Sequence, residues 1–371
     1  MHAPDPAEAA AHGPGSGRHS VVRLPRAWFV ACPSKALRSR PVACTVQGTP
    51  LGLFRGEGGA PGALLDRCSH RNVPLSLGRV LPSGRLQCCY HGWEFAPDGR
   101  CVAIPGLGGD AVERRARDAA VHAVVEQDGL VWVWATPGDE PPSTGPQAAP
   151  FRFAWLDDRR YGVIRRQFTV RGTLHATAEN ALDVPHTAFL HGGLFRTSTK
   201  RHEIEVVVRR GVDRVEAEYI GEPRPTGLAP RLLAPHGGVV THVDRFVLPS
   251  IVQVEYRLGD DTHLVSSAAL TPVDDLTTRL FAIVALRTPL PHWLVRLVAE
   301  PVMKRIFAQD ARILARQTET IERFGGEQFA STPIDVLGQQ IWRLLRHASG
   351  ATGAAGDAPA GEREVRLTMK V

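Results

Sequence analysis

Apolar and polar positions fall into two textures along the chain. Between residues 26 and 137, short apolar runs predict strands over 28–31, 42–46, 51–54, 63–66, 85–89, 122–126 and 130–134. Gly58-Gly59, Pro82-Ser83-Gly84, Pro97-Asp98-Gly99 and Gln127-Asp128-Gly129 punctuate them. Short strands with turn signals at this spacing describe a small all-β domain. Residues 136–150 are rich in Pro, Gly and Ser and mark a boundary. Beyond them the runs lengthen. A helix is predicted over 173–190. Strands follow over 203–209, 215–220, 239–247, 251–258, 264–271 and 280–286, then a helix over 292–324. That order describes an α+β domain, an antiparallel sheet with helices at either end of the sequence. The expected division is a loose tail over 1–20, a β domain over 21–137, a linker over 138–150, a second domain over 151–347 and a loose tail over 348–371.

Composition narrows the function classes. The 371 residues are 43 % apolar and 22 % charged, an ordinary globular balance. The formal charge of +6 could suggest nucleic acid. Arg is spread along the chain instead of gathered in one stripe, so no nucleic-acid surface is expected. A mild basic excess suits an acidic electron-transfer partner. Six Cys are too few for a disulfide scaffold. The N-terminal residues hold no apolar leader, and no apolar run reaches the roughly 18 residues of a spanning helix. A cytoplasmic location with reduced thiols is expected, which leaves Cys free to bind metal.

The first candidate centre lies in the β domain. Cys68-Ser69-His70 is followed by Cys88-Cys89-Tyr90-His91, a C-x-H…C-x2-H pattern. Two Cys and two His suit zinc or a Rieske [2Fe-2S] cluster. Zinc sites more often place both Cys in one half and both His in the other. Here each half supplies one of each, an interleaving that suits a cluster with Cys on one iron and His on the other. The run CSHRNVPLSLGRV…LQCCYHGWEF resembles the Rieske domain of the aromatic-ring-hydroxylating oxygenases, with Ser69 and Cys89 where Pro is usual. The resemblance assigns Cys68, His70, Cys88 and His91 as cluster ligands. Cys32, Cys44 and Cys101 read as small apolar core residues.

The second candidate centre lies on the first helix of the second domain. In Glu179-Asn180-Ala181-Leu182-Asp183-Val184-Pro185-His186-Thr187-Ala188-Phe189-Leu190-His191-Gly192-Gly193, Asp183 and His186 share a helical face. On an unbroken helix His191 would lie about 140° from His186. Pro185 kinks the run and Gly192-Gly193 ends it, so both imidazoles can turn to one point. The stretch resembles the mononuclear iron motif N-x2-D-x2-H-x4-H of the same family. The resemblance makes His186 and His191 iron ligands, places Asn180 near the iron, and makes Asp183 the carboxylate that bridges a metal-bound His to the cluster His of a neighbouring subunit. A third, carboxylate ligand is expected from the helix after His292. Asp310 there shares a stripe with Val302, Ile306, Phe307, Ile313, Leu314 and Ile321, where an unpaired carboxylate is costly. Gln309-Asp310 fits the family pattern, with a salt bridge to Arg as the bland alternative. Glu319 and Glu322 look solvated.

The resemblance therefore implies a Rieske-type non-haem iron monooxygenase or dioxygenase with a [2Fe-2S] cluster, a mononuclear Fe(II) and O2. Electrons would come from NAD(P)H through a separate ferredoxin or flavin reductase, because the chain has no dinucleotide fingerprint. It further implies a head-to-tail homotrimer, with His70 or His91 facing Asp183 of the next subunit. The segment over 28–31 leading into the cluster loops looks most like the homo-oligomeric monooxygenases. The strands over 251–258 and 280–286 offer few charges, which suggests a largely apolar, polycyclic small-molecule substrate of specialised metabolism. Two other readings are an electron carrier without oxygenase activity and a cis-dihydroxylating dioxygenase. The segment over 291–307 is expected to pack on the sheet in preference to resting on a membrane.

Overall fold

The computed structural model describes residues 19–107, 114–192, 202–223, 240–260, 262–350 and 363–370. The chain forms two compact units, one over 24–152 and one over 1–23 with 153–371.

The first unit is all β, as expected. Its strands are β1 (Trp28–Pro33), β2 (Val42–Val46), β3 (Thr49–Arg55), β4 (Pro61–Leu65), β5 (Arg79–Val80), β6 (Leu86–Gln87), β7 (Glu94–Phe95), β8 (Cys101–Ala103), β9 (Val124–Gln127) and β10 (Leu130–Trp134). They form three antiparallel sheets, β1-β10-β9, β2-β3-β4 and β5-β6-β7-β8. Every residue of β10, LVWVW, is buried, so it is a central strand covered on both faces. Phe54, Leu64, Leu75, Leu86 and Phe95 form a core that also takes in Cys68 and Cys88. The unit runs beyond the expected end at 137, because residues up to 152 stay attached to it: Trp28 Nε1 donates to Gln147 O at 3.1 Å and Gln127 Nε2 to Phe151 O at 3.0 Å. The expected linker over 138–150 is thus bound to the first unit.

The second unit has the expected α+β make-up. Its elements are β11 (Gly162–Arg171), α1 (Leu174–Leu182), α2 (Thr187–Leu190), β12 (Glu203–Arg210), β13 (Arg214–Ile220), β14 (Val240–Val247), β15 (Ile251–Leu258), β16 (Thr262–Asp274), β17 (Thr277–Arg287), α3 (His292–Phe324), α4 (Gly338–Ala348) and β18 (Arg363–Lys370). One eight-stranded sheet runs β11-β17-β16-β15-β14-β13-β12-β18. β18 corrects the expectation of a loose tail over 348–371. It pairs with β12 residue for residue, Glu203 opposite Lys370 through Arg210 opposite Arg363. Alternation of Met369, Leu367 and Val365 with polar and charged residues is a strand signal that the small-residue run before it obscured. The tail expected over 1–20 lies almost wholly outside the described residues; Ser20 itself is buried, and its amide donates to Glu327 Oε1 at 2.8 Å.

The register sorts the two faces of this sheet. On β11, Phe168 stacks on Phe307 of α3 at 4.3 Å and Arg166 pairs with Glu300 at 2.6 Å, so this face carries the helices. Residues directly opposite in antiparallel strands share a face. The helix side therefore continues through Ala282 and Val284, Ser266 and Ala268, and Val252 and Val254. The other side carries a ladder of charges, in which Arg245 meets Glu216 at 3.1 Å and Glu255 at 2.6 Å, and Arg257 meets Glu255 at 2.9 Å. α3 ends at Gly325, whose φ of 80° is the left-handed cap that glycine favours. No helix among the described residues is long and apolar enough to cross a membrane.

Candidate metal centres

The cluster candidates sit on two loops built alike. The Cys68 amide donates to Val73 O at 2.9 Å, and the Asn72 amide to Cys68 O at 2.9 Å. In the second loop the Cys88 amide donates to Trp93 O at 2.8 Å, and the Gly92 amide to Cys88 O at 3.1 Å. Each loop turns through a left-handed residue four places after its Cys, Asn72 at φ 61° and Gly92 at φ 71°. Asn and Gly are the residues that tolerate this conformation. The matched turns bring the four side chains together. The His70 and His91 rings lie 4.5 Å apart, edge to face, and the Cys68 and Cys88 thiols meet. Cys68 and Cys88 are buried, whereas Cys89 is exposed, so the structure separates the adjacent cysteines as the C-x2-H spacing does.

Electrostatics here suit a metal more than four free side chains. Burial pushes the Cys68 thiol up, and burial with the neighbouring His91 and Arg71 pushes His70 down. Nδ1 of His70 is buried without a hydrogen-bond partner. A buried ring nitrogen with a lone pair and no donor is the electronic form that binds metal. Trp93 lies flat on His70 at 4.6 Å with 4° between the planes, and Tyr90 packs on His91 at 3.8 Å. Those aromatic partners were not anticipated from the spacing; the Tyr90 and Trp93 positions inside the motif were the available signal.

The iron candidates come from the broken helix. Thr173 caps α1 by accepting from the Ala176 amide at 3.0 Å. α1 stops at Leu182, Asp183 turns extended, and α2 restarts after Pro185. The residue before a proline avoids helical angles, and proline offers no donor to continue the ladder. The break does what the spacing suggested: His186 Nε2 and His191 Nε2 come within 3.3 Å. Asp310 of α3 completes the group, its Oδ1 lying 3.0 Å from His191 Nε2 and 3.7 Å from His186 Nε2. One ligand atom from each of these three lies within 4.8 Å of the others, close enough to hold a single metal ion. Bonds of about 2.1 Å meeting at right angles put ligand atoms about 3 Å apart, so the triangle fits one face of an octahedral ion. Asp310 Oδ1 is buried without a hydrogen bond, and among the described residues no Arg pairs with it, which speaks against the salt-bridge alternative.

Neighbouring groups set the tautomers. His186 Nδ1 donates to the backbone carbonyl of Asp183, and His191 Nδ1 to Gln309 Oε1 at 3.1 Å. An acceptor at Nδ1 keeps the proton there and turns the Nε2 lone pair to the shared point. In the metal-free protein burial opposes a charge on His186, but Asp183 and Asp310 outweigh it and hold the pKa at about 9. The Asp183 carboxylate is 3.5 Å from His186 and 36 % exposed, so one side of it faces solvent. Asn180 is half-buried in the last turn of α1 and belongs to the same segment. Ile313, expected on the buried stripe, is 47 % exposed, and Thr318 fills that stripe by donating to Arg171 O at 3.1 Å. α3 is turned so that positions 307, 310, 314 and 318 face inward, a four-and-three spacing that polar Thr318 disguised.

Two polar groups, one buried and one half-buried, were not singled out from the sequence. His242 lies between Tyr219 and Tyr256 on the helix side of the sheet, with Nδ1 2.7 Å from Glu222 and Nε2 2.9 Å from Asp244. Burial opposes its charge, yet the two carboxylates hold its pKa at about 9. Glu179, one turn before Asp183, presses against Gly338 at the start of α4, and burial raises its pKa against the pull of His175.

Residues 27–116 match the family described as Rieske [2Fe-2S] domain, and residues 170–349 the vanillate O-demethylase oxygenase C-terminal domain. The oxygenase component of dicamba O-demethylase from Stenotrophomonas maltophilia is 37 % identical over 190 residues, half of this chain and 53 % of that protein. The chain thus matches only about half the length of this relative. The vanillate O-demethylase oxygenase subunit of a Pseudomonas species is 25 % identical over 357 residues, covering 90 % of this chain and 96 % of that one. Among solved structures, dicamba monooxygenase bound to dicamba superposes with a TM-score of 0.73 at 25 % identity, covering 89 % of this chain and 98 % of that one.

Proposed function

We propose that this chain, which belongs to the Rieske non-haem iron oxygenases, is the oxygenase component of a multicomponent system that hydroxylates or dealkylates a largely apolar small molecule. The observation that carries this reading is the facing triangle of His186, His191 and Asp310. Two His and one carboxylate on one face of an Fe(II) leave positions for O2 and water. When bound, the cluster supplies single electrons and the iron supplies O2 activation.

The residues of this chain do the rest. Gln309 and the Asp183 carbonyl hold the two imidazoles in the ligating tautomer. The half-exposed Asp183 carboxylate is the group through which a neighbouring subunit's cluster His would be met in a homotrimer. Apolar positions on the helix side of β15 to β17 favour an apolar substrate. The names of relatives, O-demethylases of dicamba and vanillate and a chloroacetanilide N-alkylformylase, favour attack at a carbon next to a heteroatom. For an aryl methyl ether, O2, two electrons and two protons would convert the methyl group to a hemiacetal and water. The hemiacetal would then collapse to the phenol and formaldehyde. The electrons would come from NAD(P)H through a separate reductase.

The test is iron content and an electron paramagnetic resonance spectrum of dithionite-reduced protein purified without air. About three iron per chain with a low-average-g Rieske signal is expected. Zinc without that signal would overturn the reading. A panel of methoxy- and N-methyl-arenes, scored for formaldehyde and for diols, would then separate dealkylation from dihydroxylation. Asp183→Asn should keep both metals and lose most turnover; unchanged turnover would remove Asp183 from the electron route.

A further inference from the structure

The first turns of α3 carry an exposed apolar face. Trp293, Leu294 and Leu297 expose 66 %, 39 % and 65 % of their surface. On a helix, Trp293, Leu297, Pro301 and Lys304 fall within about 80° of arc, with Leu294 and Arg305 at its margin. The same turns are anchored to the fold through His292 against Gly162 and Glu300 against Arg166. The exposed face is therefore presented on a fixed helix. Exposed apolar residues scattered singly need no explanation, but an indole and two leucines on two adjacent turns do.

The charges beside this face have one sign. Lys304, Arg305 and Arg312 are exposed and form no ion pair among the described residues. The acid of these turns, Glu300, is already held by Arg166 at 2.6 Å and Arg296 at 2.5 Å. A two-fold contact between copies would bring these cations together on both sides of the interface, which is unfavourable. An apolar tip with a cationic flank instead matches an anionic bilayer surface. There the leucines enter the acyl boundary, the indole lies at the headgroup level, and Lys and Arg meet the headgroup phosphates.

We propose that the exposed face of α3 around Trp293 and Leu297 docks the protein peripherally on anionic lipid surfaces. The helix lies on the bilayer and does not cross it. The inference is independent of the oxygenase reading, because it concerns a surface outside both metal centres.

The test is cosedimentation of the intact iron-loaded protein with vesicles, at low salt. Vesicles of mixed phosphatidylglycerol and phosphatidylcholine should carry down at least tenfold more protein than vesicles of phosphatidylcholine alone, and added salt should release it. Trp293→Ser with Leu297→Ser, and separately Lys304→Glu with Arg305→Glu, should each abolish the binding. All four side chains are exposed, so the melting temperature and cluster absorbance should match the parent and certify the fold. Protein that stays in the supernatant with anionic vesicles overturns the proposal. So does an apolar variant that binds like the parent, since bulk charge then suffices. Light scattering completes the test: an apolar variant that loses subunit association, in a parent that binds no vesicles, assigns the face to contacts between copies.

Discussion

At the cluster end, all four candidate ligands arrive on two adjacent loops, each closed by its own backbone hydrogen bonds around Cys68 or Cys88. At the iron end, His186 and His191 flank one short helical turn, while Asp310 and Gln309 come from a helix more than a hundred residues later in the chain. The loops owe their shape to local turn chemistry at Asn72 and Gly92. The candidate iron site owes its third residue to the packing of α3 on the sheet, through Phe307 on Phe168 and Thr318 on Arg171. Local closure makes the first centre an autonomous feature of its unit. The second centre reports on the integrity of an entire domain.

The largest expected effect tests that autonomy directly. Cys88→Ala should lose the cluster and its visible colour, and melt its loops, because such ligands contribute folding energy through the metal. Cys89→Ala should keep colour, potential and melting temperature; loss of the cluster there would mean that the wrong cysteine is assigned. Asp310→Ala comes next. Turnover should vanish and iron fall from about three to about two per chain, with the Rieske signal unchanged. A change in that signal would break the separation of the centres.

Disturbance of the sheet away from both centres sharpens the contrast. His242→Leu would leave Glu222 and Asp244 buried without their shared cation, at a cost of roughly 3–5 kcal/mol. Thermal melting should show the second unit losing stability and mononuclear iron first, with the cluster retained. The pH dependence has a definite sign. His242 titrates near 6.5 when unfolded and at about 9 when folded, so its contribution is complete below 6.5 and lost as pH rises through 9. The melting temperature of the parent should therefore fall across that window more steeply than that of His242→Leu. The smallest effect is Gln309→Leu, which frees the His191 ring and should weaken iron binding 10- to 100-fold by equilibrium dialysis, with Asp310 and the fold intact.

The same contrast explains what could be read from the residues alone. The cluster loops were legible because their chemistry is local: spacing, turn residues and ligands fall within one short stretch. The break at Pro185 was legible for the same reason, and so was the helix over 292–324. Asp310 could be singled out as a carboxylate on an apolar stripe, yet the rotation of α3 that exposes Ile313 and buries Thr318 depends on contacts with β11 that no local pattern encodes. β18 was missed because a small-residue run hid a strand that forms only against β12. The triad at His242 was invisible because Asp244 shares its strand face but Glu222, just beyond β13, meets the ring only after β13 and β14 pair.

The two imidazoles of the candidate iron site differ in one respect that bears on inheritance. The acceptor behind His191 is a side chain, Gln309, and a single codon specifies it. The acceptor behind His186 is the main-chain carbonyl of residue 183, which has no codon of its own. Point mutation at position 183 can alter the carboxylate but leaves that oxygen in place. Heritable adjustment of how tightly the iron is held should therefore accumulate at position 309, while the hold on His186 passes unchanged through substitution.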